Sequence, residues 1–323
     1  ACWKRGARGD SDMELIRGLY NLQPQHRHCA ATIGSFDGVH GGHQAVIRTL
    51  QQAAEQQGLP ATLVTFEPLP REYFRPEKAP PRLTRLREKL LALSSCGVER
   101  VLCLHFDARL AELTATEFIR QVLVDGLGIK YLLVGDDFRF GKDRAGNFEL
   151  LQQAGRQHGF TVAAIDTVDI GGERVSSTRI RTLLTNGELA QAAELLGRPY
   201  TLSGRVAHGD KRGRTIGFPT ANIKLFRRRA PLTGVFAVEM CWDGAGTHRG
   251  VANIGSRPTV NGTRLQLEVH LFDFDEDIYG RHVDVEFVRK LREEQRFESF
   301  DALQAQIRLD AQEARAVFAA VME

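Results

Sequence analysis

Thr32-Ile33-Gly34-Ser35-Phe36-Asp37-Gly38-Val39-His40-Gly41-Gly42-His43 is the stretch on which the fold turns. Ahead of it, Cys29 to Gly34 is a short apolar run of the kind buried on both faces of a parallel sheet. Behind it, His43 to Gln57 sets Val46, Ile47, Leu50 and Ala54 on one helical stripe. A strand that enters a helix through a glycine turn opens a βαβ unit. The glycines let the turn approach a ligand closely, and the helix start offers unpaired N–H groups and the positive end of its dipole to a phosphate. His40 and His43 would add donors, or positive charge, for the oxygens of a phosphoryl group under attack. On residues alone the pair has two other meanings. It could be two surface histidines on a glycine turn, or half of a metal site, although no third ligand of comparable placement follows.

Outward from this turn the pattern repeats. Ala61 to Phe66, Val101 to Phe106, Tyr131 to Gly135 and Phe160 to Ile165 are further apolar runs, and helical stripes over Arg82 to Leu93 and Thr114 to Val124 lie between them. Strands alternating with helices predict a doubly wound, Rossmann-like layer built on a parallel sheet. Leu183 to Leu196 reads as one more helical stretch, ended by Gly197-Arg198-Pro199, where the domain boundary is expected. Beyond it the period changes to two. Thr201 to His208, Gly234 to Trp242, Thr247 to Asn253, Leu265 to Leu271 and Val283 to Val288 alternate, with Asp243-Gly244-Ala245-Gly246 as a hairpin turn, and predict a small antiparallel β-barrel. Phe300, Leu303, Ile307, Ala314, Phe318 and Val321 then recur at helical spacing behind the capping candidate Ser299, which places one terminal helix against the barrel.

A length of 323 residues suits two such domains, and 42% apolar with 26% charged residues is ordinary for a chain that buries real cores. Residues 1 to 12 are polar and patternless, and are set aside as an upstream segment, leaving 13 to 199 and 200 to 323 as the two domains. The basic residues number 25 against 23 acidic up to Pro199 and 18 against 17 after it, so neither domain carries the bias of a nucleic-acid binder. The run Arg227-Arg228-Arg229 is accordingly read as a solvated loop. No stretch of 18 apolar residues and no apolar leader occurs, so no membrane partner is expected. Five scattered cysteines without Cys-x-x-Cys spacing read as reduced thiols, and a cytoplasmic location is expected.

Two more stretches in the first half carry chemistry. Val175-Ser176-Ser177-Thr178-Arg179-Ile180-Arg181 opens a helical segment with hydroxyls and backs it with guanidinium groups, which suits the oxygens of a triphosphate or of departing pyrophosphate. Alone, Ser-Ser-Thr is also simply a good capping cluster. Val134-Gly135-Asp136-Asp137-Phe138-Arg139-Phe140-Gly141 ends the fourth of these strands, where open parallel sheets collect ligands. Its carboxylates and aromatics could hold a sugar hydroxyl, an aromatic ring or a metal-bound phosphate, or form a loop with an Asx turn and two core phenylalanines.

The Gly34-x-Phe36-Asp-Gly-Val-His40-x-Gly-His43 element, Thr65-Phe66-Glu67-Pro68, the Asp137-Phe-Arg-Phe-Gly loop and Ser176-Ser-Thr-x-Ile-Arg181, in this order, resemble the FMN adenylyltransferase module of bacterial bifunctional riboflavin kinase/FAD synthetases. The resemblance runs from about residue 13 to the end. It implies a nucleotidyltransferase fold in which the FMN phosphate attacks the α-phosphorus of ATP, giving FAD and pyrophosphate. By it, His40 and His43 stabilise the pentacovalent phosphorus, and Gly34 and Phe36 form the ATP loop around them. Ser176, Ser177, Thr178 and Arg181 hold the β- and γ-phosphates, and Asp137, Phe138 and Arg139 help to seat FMN or the adenine nucleotide. Ser35 stands where the family commonly has Asn, and Asp137 where some members have Asn.

In the second half, Gly204 to Asn222 interleaves four glycines with Lys211, Arg212 and Arg214, a basic loop suited to covering polyphosphate or a plain glycine-rich hairpin loop. Thr220 and Asn222 offer hard oxygens of the kind Mg²⁺ accepts. Glu268, in Leu265-Gln-Leu-Glu-Val-His-Leu271, is the leading candidate for a base that accepts the proton of an alcohol, its alternative being an outward-facing residue of an alternating strand. Gly217-Phe-Pro-Thr-Ala-Asn-Ile, Asn253-Ile-Gly-x-Arg-Pro-Thr, Glu268-Val-His-Leu and Asp277-Ile-Tyr-Gly280 together resemble the riboflavin kinase module. That resemblance implies Mg-ATP bound through Gly209, Lys211, Gly217, Pro219, Thr220 and Asn222, the metal on Thr220 and Asn222. It further implies that Glu268 activates the 5′-hydroxyl of riboflavin, with Arg289, Leu291 and Arg292 on the flavin side. Phe236 stands where the family usually has Tyr. The implied ligands are riboflavin, FMN, FAD, ATP and Mg²⁺, and the alternative on residues alone is a nucleotidyltransferase of the same fold acting on another phosphorylated acceptor.

Overall fold

The structure is a computed structural model, and it describes residues 13–165, 169–208, 218–259 and 262–320. The expected strands of the first half form at β2 (Ala30–Ile33), β3 (Ala61–Glu67), β4 (Arg100–His105), β5 (Tyr131–Gly135) and β6 (Thr161–Ile165), and the sequence missed an edge strand, β1 (Glu14–Arg17). All six run parallel in the order β1-β4-β3-β2-β5-β6. The chain leaves β2 for β3 on one side and later crosses back to place β5 on the other, so the order reverses at β2. That reversal opens the crevice where such sheets bind ligands, beyond the carboxyl ends of β2 and β5.

Helices cover the sheet. They are α1 (Gly41–Gln57), α2 (Pro70–Phe74), α3 (Leu86–Ser95), α4 (Ala108–Glu112), α5 (Ala115–Phe118) and α6 (Phe148–His158). The stripe expected from Arg82 starts only at Leu86, and the one from Thr114 passes after Phe118 into a π-helical stretch, Ile119–Gly126. Ile119, Val122 and Leu123 of that stretch are buried against Cys29, Ala31, Leu132 and Val134 of the sheet. Two short strands, β7 (Asp169–Ile170) and β8 (Glu173–Arg174), form a hairpin after the sheet.

The single helix expected from Leu183 to Leu196 is two, α7 (Ser177–Asn186) and α8 (Leu189–Leu196). Gly187 separates them at φ +82°, a conformation that favours glycine, and a Cβ there would strike the Lys290 side chain. Then come β9 (Thr201–Ala207), β10 (Ala221–Lys224), β11 (Gly234–Trp242), β12 (His248–Thr259), β13 (Gly262–Leu271) and β14 (His282–Arg292). They close into an antiparallel barrel, β10-β13-β12-β11-β14-β9. Leu202, Val206, Ile223, Val238, Met240, Ile254, Leu267, Val269, Val285 and Phe287 are buried in it. β10 went unread because its four residues lie at the end of the glycine-rich stretch.

The last helix, α9 (Phe300–Ala320), is capped as expected, Ser299 Oγ accepting the Ala302 N–H at 3.1 Å. Of its expected stripe, Leu303 and Ile307 are half-buried and Ala314 and Phe318 buried, Phe300 departs, and Val321 lies outside the described residues. Phe300 is exposed, while Ala311, Ala314, Val317 and Phe318 pack on Val235, Ala237 and Val251 of the barrel wall. Asp310, buried, takes a bidentate pair from Arg292 at 2.8 and 2.7 Å and a third bond from Gln306 at 2.9 Å. Removing one partner of such a pair strands the other charge, at a cost of about 3 kcal/mol. Asp310→Ala is therefore expected to lower the stability to urea by about that amount, and an unchanged midpoint would show that the pair does not hold α9.

By contacts the described residues fall into two compact units: 13–80 with 86–176, and 177–320 with Pro81–Arg85. That five-residue segment is held by groups of the second unit. Arg181 donates to the Pro81 carbonyl at 2.6 Å, Arg227 to Arg82 at 3.3 Å and the Tyr200 hydroxyl to Leu83 at 3.3 Å, while Arg85 donates to the Leu225 carbonyl at 3.0 Å. Arg227 is thus engaged in structure rather than simply solvated. Cys29, Cys96 and Cys103 are free thiols as expected, whereas Cys241 is disulfide-bonded, a correction to the reading of all five as reduced.

Candidate active sites

The loop between β2 and α1 sits at the crevice. His40 is the N-cap of α1, in extended backbone, and its Nδ1 accepts the His43 N–H at 3.4 Å. The Gly41 and Gly42 N–H groups lie ahead of the intrahelical ladder, as the first groups of any helix do, and face outward for an anion. The two imidazoles stack, with centroids 3.7 Å apart and planes 18° from parallel, and the Phe36 ring stands 5.0 Å from that of His43. A Cβ on Gly42 would come within 3.2 Å of the His40 ring, and one on Gly34 within 3.0 Å of the Phe36 ring. These two glycines therefore keep the rings where they are. The Val175 carbonyl is the next neighbour of Gly42, so the segment entering Ser176 runs beside the start of α1.

Ser176 belongs to this unit; Ser177, Thr178 and Arg181 are grouped with the second, so the hydroxyl motif straddles the division. The loop after β5 lies on the other lip of the crevice. Asp137 is exposed and paired with Arg174 at 3.0 Å, Arg139 is exposed, and Phe138 stacks on Phe140 at 5.5 Å and packs against the core. Sequence reading missed four aromatics at the carboxyl ends of β3 and β4. Phe66, Tyr73, Phe74 and Phe106 meet edge-on at centroid separations of 5.3 to 5.7 Å, with Phe74 62% exposed. Thr65-Phe66-Glu67-Pro68 marked one of them, but nothing in the sequence linked it to α2.

In the barrel, Gly209, Lys211 and Gly217 lie outside the described residues. Asn222 on β10 is paired in register with Glu268 on β13, which is paired in turn with Asn253 on β12. One side-chain amide joins the first two, Gln266 Nε2 donating to Asn222 Oδ1 at 2.9 Å and to Glu268 Oε1 at 2.7 Å. Two residues on, His270 Nδ1 lies 2.9 Å from the Pro219 carbonyl, and burial holds its pKa below the usual histidine value. A neutral His270 donating to Pro219 fixes the residue beside Thr220. Thr220 lines a cavity of about 350 Å³ whose wall is Val206, Val269, Leu271, Ile278 and Tyr279 and whose rim is Asp275, Glu276 and Asp277. Arg289 is exposed and Leu291 half-buried on β14; Arg292 spends its guanidinium on Asp310 and lies over the Phe297 ring.

Among the described residues no three His, Cys, Asp or Glu side chains converge as a metal site, so the metal reading of His40 and His43 finds no third ligand there. Beside Glu268 stands the Asn222 amide oxygen, and Thr220, two residues before Asn222, adds a hydroxyl; both are hard donors that fit a cation arriving with phosphate oxygens and water.

An open parallel sheet with a glycine- and histidine-bearing turn at its switch point, followed by a closed barrel that sets Asn222 beside Glu268 and Thr220 on a cavity of about 350 Å³, defines a two-module nucleotide-dependent transferase. Two family models divide the chain in the same way, FAD synthetase matching residues 22–179 and riboflavin kinase residues 196–318. The chain belongs to the bifunctional riboflavin kinase/FMN adenylyltransferase family. It is 54% identical over 308 residues to the bifunctional riboflavin kinase/FMN adenylyltransferase of Pseudomonas fluorescens, and 53% identical over 307 residues to that of Escherichia coli K12. Each match covers 95% of this chain and 98% of the relative. A crystal structure described as a macrolide-efflux protein from Streptococcus pneumoniae shares the architecture at a TM-score of 0.77 and 31% identity, over 93% of this chain and 98% of that one. No helix among the described residues of this chain is long and apolar enough to cross a membrane.

Proposed function

We propose that the barrel phosphorylates riboflavin with ATP to give FMN and ADP, and that the α/β domain joins FMN to the AMP moiety of ATP, giving FAD and pyrophosphate. The observation that carries this is the placement, at the carboxyl ends of the adjacent parallel strands β2 and β5, of the stacked His40–His43 pair at a helix start and of the Asp137 loop, upstream of a barrel that aligns Asn222 and Glu268 across one strand pair. Residues 13–199 are assigned to adenylyl transfer and 200–323 to the kinase, because Ser177, Thr178 and Arg181 continue the phosphate motif begun at Ser176.

In adenylyl transfer an FMN phosphate oxygen attacks the α-phosphorus and the bond to the β-phosphate breaks. His40 and His43 donate to the α-phosphoryl oxygens as charge builds there, with Gly34 and Phe36 shaping the loop. Ser176, Ser177, Thr178 and Arg181 hold the β- and γ-phosphates, Arg181 through nitrogens other than the Nε given to Pro81. Asp137, Phe138 and Arg139 line the acceptor side. The aromatics Phe66, Tyr73, Phe74 and Phe106 offer the isoalloxazine ring a stacking wall, and such contacts contribute about 1–3 kcal/mol per ring. Phe106→Ala is expected to raise the KM for FMN about tenfold with kcat little changed; initial rates of FAD formation check it, and an unchanged KM removes the wall.

In the kinase step Glu268 accepts the proton of the riboflavin 5′-hydroxyl as it attacks the γ-phosphorus, its carboxylate held by Gln266. Pro219, Thr220 and Asn222 position the triphosphate end of ATP, Gly209, Lys211 and Gly217 cover it, and Arg289, Leu291 and Arg292 border the flavin. Thr220 and Asn222 would hold Mg²⁺ arriving with ATP, and the ion would supply neutralisation of phosphate charge. ATP as co-substrate of both steps supports a cytoplasmic site of action. Chromatography after incubating the chain with riboflavin, ATP and Mg²⁺ tests the reading: FMN then FAD are expected, and the appearance of neither overturns it.

A further inference from the structure

Lys89, on α3, has no exposed surface at all. A lysine so buried must have its Nζ–H groups matched. Its Nζ donates to the Ser35 carbonyl at 2.7 Å and to Thr65 Oγ1 at 3.3 Å, and the Thr65 hydroxyl, buried on β3, lies 3.4 Å from the same carbonyl. Donors from two separate elements thus converge on one backbone oxygen of the loop between β2 and α1. Neither residue belongs to the phosphate motifs, and an apolar side chain would fill the place of Lys89 without any need for a partner.

The effect of that anchorage follows from the peptide plane. The Ser35 C=O and the Phe36 N–H belong to one planar unit and point in opposite directions. Drawing the carbonyl inward to Lys89 and Thr65 turns the Phe36 N–H outward. No acceptor for that N–H occurs among the described residues. Phe36 itself is held at φ +47°, a left-handed conformation that phenylalanine rarely adopts, with its ring buried beside that of His43. We propose that Lys89 is a positioning residue for adenylyl transfer: through the Ser35 carbonyl it fixes the Ser35–Phe36 peptide so that the Phe36 N–H meets a phosphate oxygen of ATP and the Phe36 ring backs His43. The proposal rests on the adenylyltransferase reading of the first domain. It accounts for serine at position 35, because the group in use there is the backbone carbonyl, which every residue has.

Lys89→Met in the full chain tests it, keeping the length and apolar body of the side chain and removing the donor. FAD formation from FMN and ATP is expected to lose about 10²-fold in kcat, with the KM for FMN within threefold of wild type. FMN formation from riboflavin, measured in the same preparation, is expected to stay unchanged and reports that the chain is folded. A wild-type chain that makes FAD beside a K89M chain within threefold of it overturns the proposal alone. A wild-type chain that makes no FAD overturns the reading and the proposal together. A loss carried by KM with kcat intact assigns Lys89 to seating substrate and also overturns it. If K89M loses both activities, Thr65→Val decides: a fall of about tenfold in kcat for FAD alone supports the proposal, and an unchanged kcat overturns it.

Discussion

Replacing His43 with alanine is expected to cut FAD formation from FMN and ATP about 10³-fold in kcat/KM, while FMN formation from riboflavin continues at the wild-type rate. The size follows from what the ring does. It is stacked on His40 at 3.7 Å and backed by Phe36 at 5.0 Å, so it is held in place before ATP arrives, and a donor already aimed at developing charge contributes far more than one that must be ordered during the reaction. Alanine removes the donor and the partner of the His40 ring at once, but leaves the His43 N–H that caps onto His40 Nδ1. The helix start should therefore survive and the defect fall on kcat. His43→Gln, which keeps an N–H donor, is expected to lose less. Initial rates of both products, read by chromatography from one preparation, check this; equal loss of FMN formation would show that His43 serves the whole fold.

The mirror-image result is expected for Glu268→Gln. FMN formation should fall by about 10³-fold, in the middle of the range for loss of a general base, while FAD formation from supplied FMN stays within twofold. Glutamine keeps the shape and an amide oxygen for the Gln266 bond, so the change is confined to the loss of basicity and charge on the row Asn222, Glu268, Asn253. A Glu268→Gln chain that still phosphorylates riboflavin at a tenth of the normal rate would remove Glu268 as the base and leave it a positioning group.

Both expectations were legible in the sequence, for a physical reason. Turns that must approach phosphate need glycine, histidine and hydroxyl residues close together along the chain, so Gly34 to His43 and Ser176 to Arg181 announce themselves locally. The sheet was legible because its strands are buried on both faces; β1 was not, since only four residues form it and only Ile16 among them is buried. β10 was hidden in a glycine-rich stretch, and the π-helical turn after Phe118 has the same apolar spacing as an α-helix over so short a run. What sequence reading cannot reach is convergence over distance. The aromatic wall joins residues 66, 73, 74 and 106, and the anchorage of the ATP loop joins 35, 65 and 89, partners that share no spacing. The terminal stripe was misjudged at Phe300 for a related reason: as the first residue after the cap it stands clear of the barrel wall, which only the position of α9 reveals.

The five residues Pro81–Arg85 have a consequence for how such a chain can be divided. They lie within the first half of the sequence but are counted, by what holds them, with the second unit, so among the described residues the path passes from one unit to the other after residues 80, 85 and 176. With more than one crossing, no single break in the gene yields two polypeptides each owning all of one unit. Splitting the chain between Arg85 and Ser177 leaves the Pro81, Arg82 and Leu83 carbonyls on one product and the Arg181, Arg227 and Tyr200 donors on the other, and splitting it ahead of Pro81 leaves the first unit in two pieces. The two activities are in this sense sewn together by a doubled-back stitch rather than joined end to end, and a lineage that inherits them fused has a mechanical reason to keep them so.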